Sequence, residues 1–358
     1  MTAKRNGKIE ILRFFFCMSV LLFHLNTDVF GSWTLATPAF SLFAHGRTGV
    51  EFFFLVSGFL CAKSASRMKD SHTPIGTDTF NFILRKVKSI FPYHIIVVIL
   101  IVIVLWSCYP GIFLNSVAYK LPSVFFLQRT GLSKSDINSI EWYIAAMLLA
   151  LTIVYPLLRK WYDFTLNVIA PVGSVMLIGY LIKVYDSMPS VSDFVGFTYL
   201  CNLRALGVIL LGVFAFNVSE RIRAAKLSKA AYRWLVFAEG FCWIFSMYFI
   251  ISAMESFFEA YATFAMAGGV AITSSRDLKG KFYNSKFVMY LGKITLPVYL
   301  CQNIIRWLSD ALLVGHVSLV ARFLIQAFAT LLLGIGIYEL WNAIKRSRAK
   351  KKKVLTNS

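Results

Sequence analysis

Ten apolar runs, near residues 9–30, 47–65, 90–108, 140–158, 164–182, 199–217, 234–253, 257–273, 288–312 and 318–341, punctuate this sequence. Each is of the length, about 17 to 25 residues, that crosses a lipid bilayer as a helix. Within a bilayer core the backbone N–H and C=O groups find no water. Such runs therefore pair their backbone internally, as helices. The expected fold class is an all-α integral membrane protein, a polytopic bundle of about ten transmembrane helices. Composition agrees, with 58% hydrophobic and only 15% charged residues, against about 25% charged in soluble domains. The stretch 111–128, between Pro110 and beyond Pro122, reads as a re-entrant or interfacial segment rather than an eleventh span. The first run follows Lys4, Arg5 and Lys8 without a small-residue cleavage site, so it reads as a spanning helix and not a signal peptide.

Loop charge orients the bundle. With the N-terminus inside, 28 of the 37 Lys and Arg residues fall on inner segments, and the outer loops hold only Arg47, Lys120, Arg129, Lys134 and Lys183. This asymmetry places both termini in the cytoplasm and the chain in the cell membrane as a multi-pass protein. The net charge of +20 then reflects orientation and attraction to anionic membrane lipid rather than nucleic-acid binding. Residues 1–344 form one membrane domain, and 345–358, with its run of Lys and Arg, is expected to be a disordered basic tail. The six cysteines lie in apolar stretches without C-x-x-C spacing, and no histidine pair has metal-ligand spacing; neither a disulfide framework nor a metal is implied.

Two segments carry chemistry. Arg13 and His24 stand eleven positions apart in the first run, about 20° past three full helical turns and roughly 16.5 Å along the axis. They share one face, with Arg13 near the cytoplasmic end and His24 deeper. Ionisable groups on one face of a spanning helix mark function, because exposing them to lipid is costly. The alternative is structural: Arg13 snorkels to the headgroups and His24 bonds a neighbouring carbonyl. The second run adds Gly46-Arg47-Thr48-Gly49-Val50-Glu51-Phe52-Phe53-Phe54-Leu55-Val56-Ser57-Gly58-Phe59-Leu60, a carboxylate, a hydroxyl and small residues within one helix.

With these residues the chain resembles the membrane-bound acyltransferase 3 family. That family carries an Arg and a His with ten residues between them in its first helix, and G-V-[DE]-x-F-F-x-x-S-G-F in its second. Arg13, His24, Glu51, Ser57, Gly58 and Phe59 match it. Arg85 to Tyr93 resembles its basic R-x-x-R-x-x-P-x-Y segment with Lys88 for the second Arg. Trp142-Tyr143 with Pro156, Arg204 with Gly212, and Leu291 to Thr295 with Tyr299-Leu300 resemble later motifs. Gln302 stands where the last motif commonly has His, and Leu296 and Pro297 replace its usual polar and aromatic pair.

The resemblance implies O-acyl transfer from cytoplasmic acyl-CoA, acetyl-CoA by default, to a hydroxyl of a surface or cell-wall glycan. His24 is then the candidate base, since a neutral imidazole accepts the proton of an attacking hydroxyl. Glu51 orients His24 or holds the acceptor, or else pairs with Arg47 or Arg13. Arg13, Arg85 and Lys88 bind the coenzyme A phosphates, whereas Lys86 reads as topology alone. Arg204 stabilises the thioester oxyanion or pairs with Asp193. Ser57, Gly58, Phe59, Trp142, Tyr143, Tyr299 and Gln302 contact substrate or pack; Ser57-Gly58 reads as packing that admits a helix or the pantetheine arm. His45, His72 and His316 read as loop residues and His94 as interfacial. A transporter or flippase would also hold Arg and His in spanning helices, but no second copy of the Arg13 to Phe59 signature is found.

Overall fold

The computed structural model describes residues 6–30, 43–111, 119–133, 136–188, 193–252, 254–276 and 280–357, with side chains as far as Ala349. Of the described residues, 82% are helical. Its long helices are α1 (Gly7–Phe30), α2 (Gly49–Ser66), α3 (Ile75–Cys108), α4 (Trp142–Lys160), α5 (Tyr162–Tyr185, with a π turn at Thr165–Ile169), α6 (Leu200–Ala224), α7 (Lys229–Ile251), α8 (Glu259–Ser275), α9 (Lys286–Leu312) and α10 (Leu319–Asn357). Every apolar run expected to span falls on one of them. Among the described residues, eight helices are long and apolar enough to cross a membrane. The other two are α8, of 17 residues, and α9, which carries Lys293, Gln302, Asn303 and Arg306. The chain is thus an all-α, multi-pass membrane protein. A two-residue hairpin, β1 (Phe194–Val195) against β2 (Thr198–Tyr199), leads into α6.

Two ends differ from expectation. Helix α3 begins at Ile75, well before residue 90. Its first turns are too polar to read as a span, yet Asp78 near the N-terminus suits the helix dipole. Helix α10 runs on to Asn357, so the basic tail is helical rather than disordered. Beyond Gly336 it contains no Gly or Pro, and Ala, Lys, Arg and Leu are strong helix formers. In the 111–128 stretch, residues 112–118 lie outside the described residues. The remainder is a single tight turn, Leu121–Phe125, and not a span.

Burial orders the bundle. In α2 and α4, 72% of the spanning window is buried, against 22% in α7, so the first two form the centre and α7 the rim, with Trp234, Phe237, Phe241 and Ile244 exposed as lipid contact requires. At the centre α2 crosses α6 through a reciprocal pair of glycines. A Cβ on Gly58 would meet the Ile209 carbonyl oxygen at 2.1 Å, and one on Gly212 would meet that of Leu55 at 2.2 Å. Small residues let helix backbones approach in lipid, and here the approach leaves no room for a methyl group. Gly58→Ala is expected to force α2 and α6 apart, at about 1 to 3 kcal/mol or more, seen as a lower melting temperature in detergent; a wild-type melting curve contradicts this packing.

Helices α1 and α9 run parallel. The Cys17 Sγ–H donates to the Thr295 carbonyl at 3.4 Å, and further along Arg306 Nε stands 3.5 Å from Asp28 Oδ1.

Candidate active site

A cavity of about 420 Å³ opens at the end of the bundle expected to face the cytoplasm, between α1, α2, α6 and α8. Arg13, Lys63, Arg67, Arg223 and Arg276 line it, with Glu10 as the single acid. Val56, Phe59, Leu60 and Val270 supply an apolar wall. Phe59 is held by an edge-on contact with Phe216, centroids 5.4 Å apart. Arg13 stands 3.9 Å from Glu10, one turn back on α1. Arg223 donates to the Ser274 carbonyl at 2.7 Å, and Arg276 is ion-paired with Glu239, which also holds Lys8 at 3.1 Å. The cationic wall is therefore built from the ends of α1, α2, α6 and α8, with Arg13, Arg223 and Arg276 held by Glu10, the Ser274 carbonyl and Glu239 of α7, and the cavity suits a multiply charged anion with an apolar arm.

The other residues expected to hold phosphate lie elsewhere. Arg85 and Lys88 are exposed on α3 and do not line the cavity. Lys63, Arg67, Arg223 and Arg276 line the cavity in their stead. In the sequence they are hidden among cations that orientation alone explains. Lys86, read as topology alone, is the α3 cation within electrostatic reach of Arg13.

His24 lies toward the opposite end of α1, partly buried, its ring edge-on to Phe23 at 5.6 Å. Glu51 does not orient it. The Arg204 Nε–H donates to Glu51 Oε1 at 2.5 Å, and Glu51 Oε2 meets no donor among the described residues. Nor does Glu51 pair primarily with Arg47 or Arg13, or Arg204 with Asp193. Arg204 stands instead between two wholly buried acids, Glu51 and Glu259, the second at 3.6 Å. Glu259, at the start of α8, was not singled out in the sequence. It accepts from Thr48 Oγ1 at 2.9 Å and from the Met188 N–H at 3.1 Å, and Arg47 lies 3.4 Å from it. The indole of Trp142 packs 5.6 Å from the Arg204 guanidinium. This cluster ties α2, α6 and α8 together.

Ser57 donates to Met147 Sδ at 3.1 Å, a packing contact between α2 and α4, and Gly58 admits α6. Tyr143 and Tyr299 meet edge-on at 4.7 Å, and the Tyr299 hydroxyl donates to the Ile140 carbonyl at 2.9 Å. A second buried network escaped the sequence reading. His94 is buried, not interfacial, with Nδ1 2.7 Å from Glu141 Oε2 and Nε2 3.1 Å from the Val124 carbonyl oxygen. Asn138 donates to Glu141 at 3.0 Å and accepts from Asn303 at 2.9 Å. These bonds fix the chain entering α4 against α3 and α9.

In the preceding loop, Asp136 lies 2.5 Å from Arg129. Burial pushes its carboxyl from 3.8 up to about 6, against the pull of Arg129. The folded chain holds this proton more tightly than the unfolded one. Its stabilising effect is complete below about pH 4 and fades as pH rises through about 6. Melting temperature in detergent should therefore fall across that window, and Asp136→Asn should flatten the fall; an unchanged slope in the variant assigns it to other groups.

No curated protein and no solved structure matches the chain. The model of the acyltransferase 3 family, described as an acyltransferase domain, matches residues 6–339. A cation-lined cavity and a histidine three turns further along the same helix are thus carried by a chain that, over nearly its whole length, belongs to the acyltransferase 3 family and is a membrane acyltransferase.

Proposed function

We propose that the chain transfers an acyl group, acetyl by default, from acyl-CoA on the cytoplasmic side to a hydroxyl of a surface or cell-wall glycan. The observation that carries this reading is the cavity: five cations against one acid, beside an apolar wall. The phosphates of coenzyme A are drawn to Arg13, Lys63, Arg67, Arg223 and Arg276, and the uncharged pantetheine arm follows the face of α1 that Arg13 and His24 share. The rise of roughly 16.5 Å between them separates the charged end of the donor from its thioester. At the thioester the acceptor oxygen attacks the acyl carbon as its proton passes to the neutral imidazole of His24. The C–O bond forms, the C–S bond breaks, and the imidazolium returns the proton to the departing thiolate. The products are the O-acylated acceptor and free coenzyme A.

Calorimetric titration of the purified protein with coenzyme A tests the donor site. Hydrogen bonds to charged groups contribute about 1.5 to 3 kcal/mol, so Arg13→Ala and Arg67→Ala should each weaken binding about tenfold or more. A wild type that does not bind coenzyme A, or variants that bind it as the wild type does, removes the donor site.

A further inference from the structure

The outer half of the α1–α9 contact holds a buried amide that the packing leaves unused. Gln302 is 5% exposed, and neither its Nε2 nor its Oε1 has a hydrogen-bond partner among the described residues. Buried amides are normally paired, and an orphaned donor and acceptor in one side chain are unfavourable unless something else meets them. The neighbouring amide shows the contrast. Asn303 donates to Asn138 Oδ1 and to Ser139 Oγ, each at 2.9 Å, so its role is to anchor α9 to the start of α4. Gln302 has no such duty.

Register places Gln302 beside the reacting group. The offset that joins Cys17 to Thr295 and Asp28 to Arg306 sets His24 level with Gln302 on the parallel helix. One turn further out the charges close on themselves. Arg306 lies 3.5 Å from Asp28 and 4.0 Å from Asp310, and Arg322 is paired with Asp310. Two arginines meet two aspartates, leaving no net charge for a phosphate or carboxylate to seek. The inner cavity, with its excess of cations, is the opposite case.

We propose that Gln302 is an acceptor-binding residue, its amide giving one hydrogen bond to and taking one from the hydroxyls of an uncharged polyol held between α1 and α9, level with His24. This inference rests on the acyl-transfer reading above. A primary amide matches a pair of neighbouring sugar hydroxyls, since it offers a donor and an acceptor side by side.

The test is thiol release from acetyl-CoA by the purified protein as methyl glycosides of neutral hexoses are titrated in. Glucuronic acid and glucose 6-phosphate serve as charged comparisons. In Gln302→Leu the KM for the neutral glycoside should rise about tenfold or more, while the KM for acetyl-CoA stays at the wild-type value. Gln302→Asn should recover part of the loss. The melting temperature of Gln302→Leu should match or exceed that of the wild type, because an unpaired buried amide has been removed. An unaltered KM for the glycoside, a preference for the charged sugars, or no response to any neutral glycoside overturns the role of Gln302. A wild type that does not bind coenzyme A overturns the donor reading instead, and coenzyme A titration separates the two failures.

Discussion

Replacing Arg204 by leucine is expected to destabilise the protein by about 3 to 5 kcal/mol, the penalty of breaking a buried ion pair from one side. Arg204 is 2% exposed, and the two acids it faces, Glu51 and Glu259, are not exposed at all. Without it, Glu51 loses the donor that holds its Oε1 at 2.5 Å, and Arg47, 3.4 Å from Glu259, is left to offset two carboxylates. Because the cluster joins α2, α6 and α8, its failure loosens the crossing at Gly58 and Gly212 as well. The expected readout is a large drop in melting temperature and in the monodisperse fraction recovered in detergent. Glu51→Gln, added to Arg204→Leu, removes one orphaned charge and should restore part of the loss, as contacting sites do in a double-mutant cycle. If Arg204→Leu melts like the wild type, the cluster does not hold these helices together.

His24→Ala should lower turnover of acyl-CoA by about 10² to 10⁴, the range that a positioned general base contributes. Donor affinity should hardly change, since the cations proposed to meet the phosphates surround Arg13, roughly three turns from His24 along α1. Rate without affinity is the signature of a group that acts in the transition state. His24→Gln, which keeps a polar side chain but cannot relay a proton, should be as slow as His24→Ala. Turnover near the wild-type rate in either variant removes His24 from the mechanism, and a parallel loss of coenzyme A binding would mean that the substitution acts on the fold instead.

The helices were legible because lipid permits so few backbone solutions: an apolar run of spanning length has to be a helix. Ends were less legible. The first turns of α3 and the last turns of α10 are polar or basic and carry no spanning signal, yet nothing in them breaks a helix. The same division holds at the site. Arg13 and His24 stood out because their spacing and their depth in an apolar run are unusual. Lys63, Arg67, Arg223 and Arg276 did not, because an inner-loop cation has a sufficient explanation in topology, and only the packing of α2, α6 and α8 around Arg13 brings them to one cavity. Glu259 opens a helix whose N-terminus favours an acid in any case, and its partner Arg204 lies in another helix. His94 and Glu141 likewise belong to different helices, α3 and the turn before α4. Pairs made across the bundle leave no spacing to read.

The central claim is that this one chain binds an acyl thioester at the cationic end of α1 and opens it near His24. The most direct measurement is release of free thiol from acetyl-CoA by the purified wild type, with His24→Ala and Arg13→Ala alongside as folded controls. The wild type is expected to release thiol steadily when a sugar acceptor is present to take the acyl group, at least a hundredfold more slowly in His24→Ala, with Arg13→Ala requiring far more acetyl-CoA. A folded wild type that releases no thiol and binds no acyl-CoA would contradict it.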